Sequence, residues 1–345
     1  MSSIAIIGAG MSGLAAAHVL LDAGHAVTLF EKSRGVGGRA ATRARAGYIY
    51  DHGAQYIKQG HAESVSLITE RFRAPDLIDI KKPVWTFDGQ DSIQEGDPKQ
   101  NVEPKWTYRS GITALPRLMA ADLIIHFETR IAHLQQAPAG WQLFTTTNQD
   151  VGTYDSVLVT IPAAQAQDLV QASQFSNDLQ SNIAAQLQRS RYSQLLSVAL
   201  GYTTPLQERP YYALVNTDKG HAISWLAWEH EKAPERVPQG GGMLIAQMAP
   251  GYSEEHREDS PESLVRDVAE RTMALIAEQL PPPAFTDVQP WRYALPTEKA
   301  DAEALNTLII PHGLAFCGDA FVGGRVHLAL EHGLHVAHQL IENRS

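Results

Sequence analysis

The chain opens on an apolar run, Ser3-Ile4-Ala5-Ile6-Ile7, with the length and composition of a buried strand. Glycines break it at once, in Gly8-Ala9-Gly10-Met11-Ser12-Gly13, and the pattern over 14–23 predicts a helix closed by Gly24-His25. Ala26-Val27-Thr28-Leu29-Phe30 reads as a second buried strand. Further on, 63–72 predicts a helix, and Val84-Trp85-Thr86-Phe87 before Asp88-Gly89 predicts a strand entering a hairpin. A helix is expected over 113–121, with Pro116 near its start, and another buried strand over 123–127. Residues 130–134 and 141–145 then predict a small meander, closed by the apolar run 154–160.

In the middle of the chain, helical patterns over 163–172 and 176–188 precede apolar strands at 195–200, 222–228 and 243–248. Ser260-Pro261 is an N-cap and first-turn pair for a helix through 278, stopped by Pro281-Pro282-Pro283. Residues 237–242, 250–259 and 297–301 read as loops. Finally, 313–319 reads as a strand running into a Gly-Asp turn, followed by a helix over 325–343. Strand and helix alternate at both ends of the chain, and the middle is rich in strands. This predicts an α/β fold, a Rossmann-like domain with an inserted α+β domain.

Composition narrows the picture. A chain of 345 residues accommodates two domains. A formal net charge of -10 argues against bulk attraction to nucleic acid or an anionic membrane. The single cysteine, Cys317, excludes an intrachain disulfide and suits a reducing cytoplasm. No Lys or Arg precedes the apolar N-terminal stretch, and three glycines interrupt it, so it does not read as a signal peptide. The expectation is a cytoplasmic protein with no membrane, nucleic-acid or obligate protein partner.

The chemistry begins at the glycines. In a strand-turn-helix, Gly8 allows a tight turn, Gly10 lets backbone approach a pyrophosphate, and Gly13 lets the helix pack close on the strand. Glu31 ends the second strand about 20 residues later, where a carboxylate accepts hydrogen bonds from both ribose hydroxyls and repels a 2′-phosphate. Ser33-Arg34-Gly35-Val36-Gly37-Gly38-Arg39 then adds a second glycine loop with a basic residue. That suits a cofactor more extended than NAD, with Arg39 as a charge for its pyrophosphate.

These residues, G-A-G-M-S-G, E-K-S-x-G-x-G-G-R and D-x-G-A-Q-Y at Asp51 to Tyr56, resemble the opening of the flavin-containing amine oxidase superfamily. Its short length and Gln289-Pro290-Trp291-Arg292-Tyr293-Ala294 resemble a smaller branch, the renalases and their bacterial relatives. The resemblance implies glutathione-reductase topology, with 1–60, 103–162 and 289–345 binding noncovalent FAD and 61–102 and 163–288 forming the substrate domain. It implies FAD contacts from Gly8, Gly10, Met11, Ser12, Gly13, Glu31, Lys32, Gly38, Arg39, Gln55 and Tyr56. Ile131 would bracket the adenine, and Gly318 with Asp319 would hold the ribityl chain. Val326 and His327 would begin a helix aimed at the flavin ring, since a helix N-terminus stabilises the negative charge of reduced flavin.

Substrate-side expectations are thinner. Tyr56, Trp225, Trp228, Arg292, Tyr293 and His327 are the pocket candidates; Arg292 between aromatics suits an anionic, planar ligand. His327, Glu331 and His335 share a helix face but are expected to hold no metal. Cys317 is expected to be a buried strand residue rather than a flavin tether. The renalase resemblance implies hydride transfer from 2- or 6-dihydro-NAD(P) to flavin N5. Electrons would then pass to O2, giving NAD(P)+ and hydrogen peroxide. The alternatives are an amine oxidase, for which Lys299 is the one plausible lysine, and a flavin-binding protein without turnover.

Overall fold

The structure, a computed structural model, describes residues 1–343; the last two positions of the expected 289–345 segment lie outside the described residues. Its first layer is a parallel sheet in the order Ile125–His126, Ala26–Phe30, Ser3–Ile7, Ser156–Val159 and Leu314–Phe316. A central parallel strand is covered on both faces, so Ile4, Ala5, Ile6 and Ile7 are all apolar and at most 4% exposed. One face carries the helix Met11–Asp22, and the closing helix Val326–Glu342 lies on that. Glycine makes the fit: a Cβ on Gly13 would lie 2.3 Å from the Gly8 oxygen, and one on Gly333 would lie 2.1 Å from the Ser12 oxygen.

The other face is covered by the meander Ile131–Ala137, Gly140–Thr145, Asp150–Tyr154 and by the helices Ala163–Ala172 and Asn177–Leu187. Sequence assigned those two helices to the substrate domain; their Leu169, Val170, Leu179 and Ile183 instead pack in one core with Ala5, Ile7 and Val157. The run 154–160 is not one strand either. The break falls at Asp155, which binds the Ser3 amide at 2.7 Å, and Ser156–Val159 crosses into the parallel sheet. The strand expected over 123–127 shrinks to Ile125–His126 at the sheet edge, where Ile124 is 64% exposed.

The second layer is a seven-stranded sheet in the order Phe285–Glu298, Arg191–Tyr202, Gly242–Met248, Ile223–Trp228, Ala213–Asn216, Val84–Phe87 and Ile93–Gln94. One face packs on the helix Pro261–Ile276 through Leu264, Val268 and Leu275. That helix is capped as its sequence predicts, the Ser263 amide donating to Ser260 Oγ at 3.2 Å. The 14-residue strand Phe285–Glu298 escapes a sequence reading because Pro290 and Pro296 interrupt it. It forms the sheet edge, where proline leaves no ladder bond unmade, and it pairs residues 289–298 with the substrate sheet rather than the nucleotide layer. Two further stretches differ from their loop or single-helix reading: Pro250–Glu255 is a short helix, and 63–72 becomes Ala62–Ser66 followed by a π-turn at Leu67–Arg71.

The layers are joined by a sealed cluster of four charges, each side chain 0% exposed. Asp51 Oδ2 accepts from Lys232 Nζ at 3.1 Å and Arg236 Nη1 at 2.7 Å, and Glu229 takes a 2.6 Å contact from each cation. Burial alone would raise the Asp51 carboxyl; the Arg236 and Lys232 charges hold it below the usual carboxylate range. Such a cluster adds little net stability over an apolar core but fixes geometry, because losing one member leaves a buried charge unpaired. Among the described residues, no helix is long and apolar enough to cross a membrane.

Candidate active site

Between the layers runs a cavity of about 2130 Å³. Ordinary ligand pockets occupy about 300–1,000 Å³, so there is room here for an extended cofactor and a second ligand. Its floor is the first glycine turn. Gly8 sits at φ 107°, a left-handed value that disfavours any side chain, and Gly13 is pressed on the Gly8 oxygen. A Cβ on Gly10 would meet nothing within 4 Å, because Gly10 faces the open cavity. The second glycine loop docks beside it, the Gly37 amide donating to the Ala9 oxygen at 2.8 Å, and Gly38 sits at φ 57°. Met11 and Ser12 of the first helical turn also line the floor.

At the nucleoside end, Glu31 lies at the tip of its strand, 8% exposed. It accepts from the Ala9 amide at 2.9 Å and the Ser33 amide at 2.8 Å, and it faces the cavity. Lys32, bonded to Gln165 Oε1 at 3.0 Å, and Ile131 share that wall. An open glycine floor and a carboxylate fixed by backbone amides fit a dinucleotide cofactor with an unmodified ribose.

At the opposite end the structure corrects one expectation. Arg39 does not offer a free charge for a pyrophosphate: its guanidinium forks onto Asp319 at 2.7 and 2.9 Å, and Nη1 also donates to the Tyr293 oxygen at 3.0 Å. Tyr192, unremarkable in sequence, donates to the same carboxylate at 3.0 Å, and burial followed by the Asp319 charge pushes its phenol up. Gly318, at φ 128°, is held from behind by its amide donating to His332 Nδ1 at 3.0 Å. Burial pushes His332 down to about 4, which keeps its ring neutral near pH 7. Cys317 is buried, its thiol pushed up to about 12 by desolvation, and it does not line the cavity.

Of the closing helix, Val326 and Ala329 line the cavity and His327 does not. Three residues apart, Val326 and Ala329 share a face that the intervening residue cannot join. His327 turns away, half-buried and lowered by that burial. Glu331 ties the helix to the segment 61–64, its Oε1 accepting from the His61 amide at 2.6 Å and Ser64 Oγ at 2.9 Å.

Over the cavity stands the second face of the seven-stranded sheet. Trp225 is in the wall, 6.1 Å from the Tyr56 ring, and its buried indole N–H has no partner. Trp228 is not in the wall: it is 1% exposed in the core, edge-on to Tyr211 at 5.4 Å. Strand side chains alternate, so residues three apart point to opposite faces, and the two tryptophans could never have shared a pocket. Arg292 and Tyr293 line the cavity, with the guanidinium 5.3 Å over the ring. Gln55 does too, its amide locked by the Asp51 oxygen at 2.6 Å and Lys232 Nζ at 3.1 Å. Lys299 is exposed and outside the wall. In all, nine Lys and Arg against five Asp and Glu line the cavity. The whole chain carries 28 of the former and 38 of the latter.

A family profile described as flavin containing amine oxidoreductase matches residues 91–341, and a second, an NAD(P)-binding Rossmann-like domain, matches residues 6–71. The chain belongs to the flavin-containing amine oxidoreductase family. It is an FAD-dependent oxidoreductase, and the open glycine floor with Glu31 fits that cofactor. Over 85 residues it is 36% identical to a 4,4'-diapophytoene desaturase of Staphylococcus haemolyticus (strain JCSC1435), a match that spans 25% of this chain and 17% of the desaturase. Among solved structures, the cyclohexylamine oxidase of Brevibacterium oxydans IH-35A aligns over 99% of both chains with a TM-score of 0.77 and 13% identity. A reduced UDP-galactopyranose mutase reaches 0.79 at 12% identity, over 99% of this chain and 96% of that one. An oxidase and a mutase thus share the fold about equally, and the family's substrate has to be argued from its own cavity.

Proposed function

We propose that the chain is a renalase-like oxidase, converting 2- or 6-dihydro-NAD(P) to NAD(P)+ with O2 as the acceptor and hydrogen peroxide as the second product. The observation that carries this reading is the excess of cationic side chains around the cavity of an acidic chain. A cleft of one sign concentrates ligands of the other, so an anionic dinucleotide is drawn in and a protonated amine is not. Bound FAD supplies the two-electron acceptor. The chain supplies flat faces from Tyr56 and Trp225 for a planar ring. The N-terminus of Val326–Glu342 sets its dipole towards the cavity, where it favours negative charge.

Amine oxidation is the second reading. The family and the aromatic pair Tyr56–Trp225 favour it, and the exposed position of Lys299 disfavours it. Anaerobic mixing of the FAD-loaded protein with 6-dihydroNAD, NADH and a panel of amines separates them. Rapid bleaching by the dihydro isomer alone is expected; bleaching by amines and not by that isomer overturns the proposal, as does bleaching by none.

A further inference from the structure

Within the substrate half of the cavity, two lysines are set directly against each other. Ile57–Lys58 and Lys105–Tyr108 pair antiparallel, with Lys58 opposite Lys105. Like charges directly opposite destabilise a strand pair, and Lys105 is only 4% exposed. Its ammonium donates to two uncharged acceptors, the carbonyl oxygens of Asn101 at 3.0 Å and Glu103 at 3.5 Å. Lys58 reaches Gln100 Oε1 at 3.4 Å and the half-exposed Glu103 carboxylate at 3.8 Å. Both lysines line the cavity, and strand alternation puts Lys58 on the same face as Tyr56 while Ile57 points into the core.

A third cation completes the group. Arg325 caps the N-terminus of Val326–Glu342, lines the same cavity, and makes no side-chain hydrogen bond or ion pair among the described residues. The strand Ile57–Lys58 packs against that same helix, and Lys58, Lys105 and Arg325 all line one cavity. Nearby, two buried polar atoms have no partner: the Trp225 indole N–H and the hydroxyl of Tyr212, which is 0% exposed. Tyr212 and Trp225 flank Tyr56 at 6.4 and 6.1 Å. Within this wall the acid is Asp97, whose Oδ1 is occupied by the Lys99 amide at 2.9 Å.

We propose that Lys58, Lys105 and Arg325 form an anion subsite that takes the diphosphate of the dinucleotide substrate, beside the Tyr56–Trp225 wall that takes its planar ring. This rests on the dihydro-NAD(P) reading above. The subsite is separate from the glycine floor, where the diphosphate of FAD belongs. Opposed lysines that gain a shared diphosphate turn a repulsion into a set of charge-assisted hydrogen bonds.

The test uses the FAD-loaded enzyme, so that the glycine floor is filled, and inorganic pyrophosphate as the probe. Pyrophosphate is expected to perturb flavin absorbance and to compete with 6-dihydroNAD. Lys58→Gln and Arg325→Gln should each raise its Kd about tenfold, as loss of one charge-assisted bond predicts. They should also raise the KM ratio of 6-dihydroNAD to the phosphate-free 6-dihydronicotinamide riboside about tenfold. Unchanged pyrophosphate binding in both variants overturns the subsite, as does an equal rise in KM for both substrates. The pyrophosphate titration needs no turnover, so it tests the subsite even if no dihydronucleotide is oxidised. Lys105→Gln removes a buried ammonium and is left out of the deciding set.

Discussion

The two halves of the cavity are made of different material. Around Gly8 and Gly10 the cavity floor is largely backbone, and a side chain is excluded at Gly8 by its φ and at Gly13 by the Gly8 oxygen behind it. Around Tyr56, Trp225 and Arg292 they are side chains standing on a sheet face and its neighbouring loops. The first half therefore fails when an atom is added; the second changes when one is exchanged. A fold built this way can hold its glycine floor fixed while the facing wall varies, and the same architecture is found in an oxidase and a mutase.

The sharpest way to break that contrast is within the glycine turn itself. Gly13→Val places carbon against the Gly8 oxygen, where an ideal Cβ already lies at 2.3 Å, and should destabilise by about 3 kcal/mol or more in thermal melts. Gly10→Ala meets no protein atom and should melt normally while losing FAD on dialysis. Equal melting of both variants would mean that the floor yields.

Next in size is a pH effect. His332 behind Gly318 and His52 behind Trp291 are both pushed down to about 4, each chiefly by burial. The folded protein keeps them neutral while the unfolded chain protonates them near 6.5. Their stabilisation is therefore complete above about pH 6.5 and is lost as pH falls through the window to about 4, by about 3 kcal/mol for each group. Urea unfolding across that window should steepen accordingly, and His332→Gln should remove about half of the slope. An unaltered slope in the variant would place the acid sensitivity elsewhere.

The smallest effect concerns the two tryptophans. Trp225→Phe should cost less than about 1 kcal/mol and raise the KM of the substrate, whereas Trp228→Phe should lower stability further and leave KM in place. Denaturant melts and steady-state kinetics on both variants check this; the reverse pattern would invert the assignment of the two sheet faces.

The same contrast governs what could be read from sequence. Gly8, Gly13 and Gly318 are legible because backbone geometry restricts residue type, and Glu31 because an acid is expected at one fixed spacing after a glycine turn of this kind. Trp225 and Trp228 were separable in principle, since the period of a strand forbids them one face. The Arg39–Asp319 pair was not, because nothing local links residues 280 apart in the chain. Nor was the sealed cluster of Asp51, Glu229, Lys232 and Arg236; in a sequence these look like the solvated charges that such residue types usually are. Trp228 and Gln55 show the two outcomes: aromatic and polar identity alone do not say which way a side chain points.

The closing helix has a consequence for how the chain reaches this state. Val326–Glu342 covers Met11–Asp22, and Gly333 lets the two touch backbone to backbone at Ser12. As the chain leaves the ribosome, the first helix is finished some three hundred residues before its cover exists. Until then its Leu14 and Ala17 have no final home, and the long sequence separation makes this docking a late, slow event. Premature termination anywhere before residue 326 would therefore leave the opening nucleotide motif complete in sequence yet unroofed, a product for chaperones and proteases rather than a smaller flavoprotein.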